Sequence, residues 1–140
     1  TTAPPPDRPR NAPDPSELAA GATALVTHIV TEADTAIAIG SGSVAVLATP
    51  RLLALCEQAS VEAVQDSLAD GTTTVGVRVM MDHVMPGAVG SQVRAEATLE
   101  KVKGRKLFFT TAAYDERGLI AAGKVVRVLV DTGTFLAKCD

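Results

Sequence analysis

One carboxylate stands among apolar neighbours in a stretch that otherwise reads as a buried helix. The segment from Thr49 to Leu68 is TPRLLALCEQASVEAVQDSL. At about 100° per residue, Arg51, Gln58, Glu62, Gln65 and Asp66 share one arc and Leu53, Val61, Val64 and Leu68 lie opposite. Leu52, Cys56, Ala59 and Ala63 widen the apolar arc, and Glu57 falls at its centre, between Leu53 and Val61. An ionised carboxylate buried without a partner is costly, so it must pair or shift its pKa upward. A raised-pKa acid in an apolar cleft suits general acid–base and acyl-transfer chemistry. A polar partner in the core, or rotation to water, accounts for the same residue without chemistry.

Two further residues gain interest from where they fall. Thr49 precedes Pro50, and a threonine followed by proline opens a helix well, with Thr49 as N-cap and Pro50 in the first position. Its hydroxyl then lies beside the free N–H groups of the first turn, where negative charge is favoured. A plain cap is the simpler account. His83 ends an alternating run just before Pro86-Gly87, a position common for turn histidines. Gly76 interrupts a β-branched run, which marks a bulge or a close backbone approach. His28 reads as structural. Cys56 points about 100° away from Glu57 and reads as a small core hydrophobe.

The elements that must carry these residues are mostly strands. ATALVTHIVT and the shorter TAIAIG read as strand, GSGS as a loop, and SVAVLA as a short strand or a helical turn. The helix should run from Thr49 to about Ala69 and stop near Asp70-Gly71. TTTVGVRVMMDH alternates Val75, Val77, Val79 and Met81 against Gly76, Arg78 and Met80. In the next run Val93, Ala95, Ala97 and Leu99 face in, and Gln92, Arg94, Glu96, Thr98 and Glu100 face out. Lys103-Gly104 and Glu116-Arg117-Gly118 read as hairpin turns. The expected architecture is α+β, a β-arm and one long apolar helix wrapped by a curved four-stranded antiparallel meander.

Composition bounds the function. The 140 residues suffice for one domain. Residues 1–17 hold six of the eight prolines and read as a disordered arm, leaving 18–136 as the folded domain. A net charge of −3 argues against a nucleic-acid partner, and three Phe with one Tyr and no Trp give no platform for stacked bases. No apolar run approaches a membrane span, and no signal-peptide pattern opens the chain. Two cysteines, with no CxxC or His-rich spacing, suggest neither a disulfide framework nor zinc. A cytoplasmic location, without metal or cofactor, is the expectation.

Three segments resemble the hotdog-fold thioesterases related to fluoroacetyl-CoA thioesterase. In ATPRLLALCEQA, Thr49 precedes Glu57 by eight positions, as in that family. VGVRVMMDHVMPGAVG matches its Gly seven residues before a His, then a Pro-containing turn and a Gly, here Gly76, His83, Pro86 and Gly90. VKGRKLFFTTAAYDERGLIAAGKVVRVLVD matches a hairpin of Gly followed by basic residues, a Phe-rich strand and a closing strand with an Arg. The likeness spans about residues 20–135. The chain departs from the family in having Val125-Val126, not His-Glu, before Arg127. It also lacks an aromatic in GSGSVAVLA, so specificity for a very small acyl group is not carried over.

The resemblance implies hydrolysis of an acyl-CoA or acyl-carrier thioester at a site of Thr49, Glu57 and His83. Glu57 would be general base or nucleophile. Thr49 would serve the oxyanion, and His83 would orient Glu57 or the water, or move a proton to the departing thiol. Gly76 and Pro86 would line the acyl pocket, with Gly76 supplied by the partner subunit of a homodimer or dimer of dimers. The cluster of Lys101, Lys103, Arg105 and Lys106 reads as a solvated turn, or as a dock for coenzyme A phosphates or an acidic carrier, with Lys103, Arg105 and Lys106 as the contacts. The rivals are a hotdog dehydratase or hydratase of 3-hydroxyacyl or enoyl thioesters, and a non-catalytic acyl-thioester binder.

Overall fold

The computed structural model describes residues 18–140, and the proline-rich arm read at 1–17 lies outside them. Five strands form one antiparallel sheet: β1 (Thr23–Ile29), β2 (Thr72–His83), β3 (Gln92–Lys103), β4 (Lys106–Asp115) and β5 (Gly118–Asp131). Their order across the sheet is β1-β3-β4-β5-β2. The alternation read in β3 holds, since Val93, Ala95, Ala97 and Leu99 are fully buried. Both hairpins form where turn residues predict them, with Gly104 at φ 62° and Gly118 at φ 124°.

The four-stranded meander does not form as expected. β3, β4 and β5 follow one another, but β2 lies at the far edge beside β5, from Thr72↔Asp131 to His83↔Ala121. The cause is the loop after His83. Leu47 N–H donates to the Gly87 carbonyl at 2.8 Å and Gly90 N–H to that of Val30 at 2.8 Å. These bonds carry the chain across the end of the sheet, so β3 starts next to β1.

The helix α2 spans Thr49–Val64, about 24 Å. It ends before the expected Ala69, because exposed Gln65–Ser67 continue as a 3₁₀ turn with no buried face. Its N-cap is Ala48, not Thr49, so no side chain caps it, and the Thr49 hydroxyl instead bonds His83. The helix packs chiefly on β3 and β1, so its buried residues are Leu52, Leu55, Cys56, Ala59, Ser60 and Val64. Leu53, Glu57 and Val61 are therefore half-buried on its flank, which corrects the reading of Glu57 as the centre of the face. Phe109 and Leu99 close the core beneath.

TAIAIG is not a strand. It forms a short helix α1 (Ala36–Ile39), directly after a 3₁₀ turn (Glu32–Asp34). The Thr35 hydroxyl accepts from Ala38 N–H at 3.2 Å and Gly40 closes the helix at φ 85°, so local caps outweigh the β-branched pattern. In β2 the register shifts between Gly76 and Arg78, leaving Val77 as an extra residue. Val79 and Met81, paired with Val125 and Gly123, therefore share the helix side with Gly76, and Val75 faces out. The tail forms a last helix, α3 (Thr132–Ala137), whose first turn donates from Thr134 N–H to Asp131 at 2.9 Å.

Candidate active site

The candidate residues form two polar clusters on α2, one at its first turn and one near its middle. At the first turn, Thr49 Oγ1 lies 2.8 Å from His83 Nδ1, at the end of β2. Burial pushes the His83 imidazole below its ordinary value, against the opposing effect of the Met85 main chain, so the ring is neutral at pH 7. Its Nε2 is buried and has no hydrogen-bond partner among the described residues. A neutral ring offers one donor and one acceptor, and the Thr49 hydroxyl can complement either. The pair opens onto a cleft of about 380 Å³ walled by Val44, Val46, Leu47, Val84, Met85 and Pro86, with Ser41 and Gly42 on its rim. Among the described residues, no Asp, Glu, Lys or Arg lines it. The first-turn N–H groups of Thr49 and Arg51 have no acceptor within the helix.

Two turns further along, Arg127 Nη1 donates to Glu57 Oε2 at 3.1 Å. Arg127 projects from β5 and also donates from Nε to the Thr74 hydroxyl at 2.9 Å and from Nη2 to the Thr74 carbonyl at 3.0 Å. Its side chain is 9% exposed and that of Glu57 35%. Burial lowers the guanidinium pKa, and Glu57 opposes that shift. Gly76 faces the pair, and a Cβ there would stand 2.5 Å from Glu57 Oε2. Absence of a side chain is what lets β2 approach the carboxylate.

The structure thus joins Thr49 to His83 and Glu57 to Gly76, and it separates the two pairs. Eight helical residues amount to about 12 Å. Pro86 lines the cleft, and its carbonyl accepts from Arg117, which also grips Asp115 at 2.6 Å. The basic hairpin lies at the other end of the sheet. Lys106 pairs with Val128 while His83 pairs with Ala121, seven residues away along β5, or about 23 Å. Cys56 is buried in the core, where burial raises its thiol pKa. His28 is a structural partner of Asp34, at 2.8 Å. The partner of Glu57 escaped the reading of the helix, yet β5 carried its signal. GKVVRVLV puts Arg127 on the same face as Val125 and Leu129, a charge aimed into the core.

Residues 30–133 match the sequence family of fluoroacetyl-CoA-specific thioesterases. Among solved structures, that of the fluoroacetyl-CoA thioesterase FlK is similar over 87% of this chain and 95% of its own, at 24% identity and a TM-score of 0.83. A Thermus thermophilus hypothetical protein of the thioesterase superfamily is 26% identical over 85% of this chain and 88% of its own, with a TM-score of 0.79. A hot-dog-like protein from Thermanaerovibrio acidaminovorans is 24% identical over 89% and 92%, with a TM-score of 0.81. No curated protein matches the sequence. The five-stranded antiparallel sheet around one long helix is the hotdog fold.

Proposed function

The chain belongs to the fluoroacetyl-CoA-specific thioesterase family and is a thioester hydrolase, and from that premise we propose that it hydrolyses a neutral acyl-CoA thioester at a site shared between two copies. The observation that carries this reading is the Thr49–His83 hydrogen bond at the rim of an uncharged cleft.

A single chain keeps Glu57 too far from Thr49 to act on the same carbonyl. A second copy removes the difficulty. β2 is an edge strand with Val77, Val79 and Met80 exposed, and an edge of that kind invites a further strand. Antiparallel pairing of two β2 strands about an axis near Val79, with Val77 left as the extra residue, brings His83 near Gly76 of the partner subunit on the same face of the sheet. Since Glu57 abuts Gly76, Glu57 of the partner subunit then approaches the cleft. Two equivalent sites result, and a homodimer is the smallest active unit.

In this reading Glu57 acts as general base. It takes a proton as water adds to the thioester carbonyl carbon. The oxyanion is held by the Thr49 hydroxyl and the free N–H groups of the first turn of α2. The C–S bond then breaks, and the proton held by Glu57 passes to the departing thiolate through the Thr49–His83 pair, giving free acid and thiol and restoring the carboxylate. Arg127 and Thr74 keep the carboxylate aimed past Gly76. Lys103, Arg105 and Lys106 remain candidates for the phosphates of coenzyme A or an acidic carrier, reached from the dimer and not from the cleft of their own chain. Free Cys56 and Cys139 suit a reducing, cytoplasmic setting.

The test is thiol release from a panel of acyl-CoA esters, with wild type beside Glu57→Ala and His83→Ala. Turnover that drops about 100-fold or more in both folded variants supports the reading. Absence of thiol release at every chain length overturns it.

A further inference from the structure

The Asp34 carboxylate makes four side-chain hydrogen bonds, and the proposed chemistry makes no use of it. It is 5% exposed. One carboxylate oxygen accepts from the Thr31 N–H at 2.7 Å and the Thr31 hydroxyl at 3.0 Å, and lies 2.8 Å from His28 Nε2. The other accepts from Arg51 Nε at 2.9 Å. Its own main-chain carbonyl accepts from the Ala48 N–H at 2.9 Å.

These partners fall into two groups. Thr31 and His28 belong to β1 and the turn that follows it, at one edge of the sheet. Ala48 and Arg51 bracket Thr49 in the chain, one held through its main chain and the other through its side chain. His83 ends β2 at the opposite edge. The first turn of α2 is thus anchored to one edge while Thr49 reaches for the other, and no side-chain cap of its own fixes that end of the helix. A buried, fully satisfied carboxylate has one good geometry, which makes it a precise spacer.

We infer that Asp34 is the positioning residue of the Thr49–His83 pair: by gripping α2 on both sides of Thr49 it holds the hydroxyl at hydrogen-bond distance from His83. Asp34 does not touch the substrate and takes no proton from it. Its kinetic consequence rests on the proposed hydrolysis; its geometric consequence does not.

The experiment replaces Asp34 by Asn, which keeps the shape and removes the charge that Arg51 needs, and by Glu as the conservative variant. Arg51→Met is the companion should Asp34→Asn fail to fold, since Arg51 is 31% exposed and easier to replace. Two quantities are read on folded protein: kcat and KM for the best acyl-CoA, and the imidazole ¹⁵N signals of His83. Misplacement of the hydroxyl by a fraction of an ångström should lower kcat about 10- to 100-fold with KM within about twofold, shift the His83 ¹⁵N signals towards those of Thr49→Val, and be partly restored in Asp34→Glu. Wild-type His83 signals in a folded Asp34→Asn or Arg51→Met protein would overturn the inference, as would activity that falls only with the folded fraction. The His83 signals are read whether or not any acyl-CoA is turned over, so failure of the hydrolase reading leaves this test standing.

Discussion

Over β1, β3 and β4 the sheet is sealed by α2, with Leu52, Leu55, Val93, Ala95, Leu99 and Phe109 at 2% exposure or less, whereas the β2 edge leaves Val77, Val79 and Met80 between 43% and 56% exposed. Both regions are rich in Val, Ala and Leu or Met. Only the first finds enough of its own chain to cover it. The side chains proposed for chemistry gather towards the second region: His83 on β2, Arg127 on β5 where it meets β2, and Glu57 on the helix flank facing them. One half of the molecule supplies most of the buried core, and the other is left open where the proposed second copy and substrate would enter.

The strongest way to break this comparison is to spoil the open edge alone. Val77→Asp combined with Val79→Asp should yield a folded monomer with thiol release at background, measured by sedimentation velocity beside the activity assay. A fully active monomer would end the idea of a shared site. On the sealed half, Leu52→Ala should cost about 3 kcal/mol of folding stability by denaturant titration, with kcat per folded molecule unchanged. On the open half the outcome should invert. Glu57→Gln is expected to lose about 100-fold in kcat, or about 2.7 kcal/mol of transition-state stabilisation, while stability moves by less than that.

A gentler probe is pH. His83 binds its proton below the ordinary 6.5 of an unfolded histidine. As pH falls below 6.5 the unfolded chain takes up that proton first, so His83 makes stability decline towards acid and rise towards neutrality. The acid limb of kcat should have its midpoint below 6.5, and one above it would contradict a neutral, buried His83. The smallest effect is expected at the basic hairpin. Lys103→Glu with Lys106→Glu should raise KM for acyl-CoA a few-fold and leave kcat alone, as exposed charges are worth little each; an unchanged KM removes the hairpin from the site.

Much of the sealed half was legible in the chain. The alternation of β3, the glycines of both hairpins and the long amphipathic helix each report local physics, and local physics governs them. The position of β2 was not legible, because a run of alternating apolar residues names no partner strand, and the loop that carries the chain across the sheet works through main-chain bonds such as Leu47 to Gly87. Glu57, Thr49 and His83 could be singled out, but not their pairing. Helical phase put Glu57 at the centre of the apolar arc; the packing of α2 on β3 and β1 places it on the flank, within reach of Arg127. The Thr49 hydroxyl had two good uses, a cap or a long-range bond, and only the fold chose between them.

The bulge at Val77 bears on how the chain tolerates change in length. Gly76 and His83 stand seven positions apart, an odd interval, and in an unbroken strand odd intervals look to opposite sides. The supernumerary Val77 corrects the parity, so that both look towards α2. The strand therefore has a reading frame. Deleting Val77 would remove the bulge and leave Gly76 and His83 six positions apart, still on one side, whereas inserting one residue between them would turn one of the two to the outside. In this part of the molecule the match between residue count and bulge is under stricter constraint than the identity of the residue that forms the bulge.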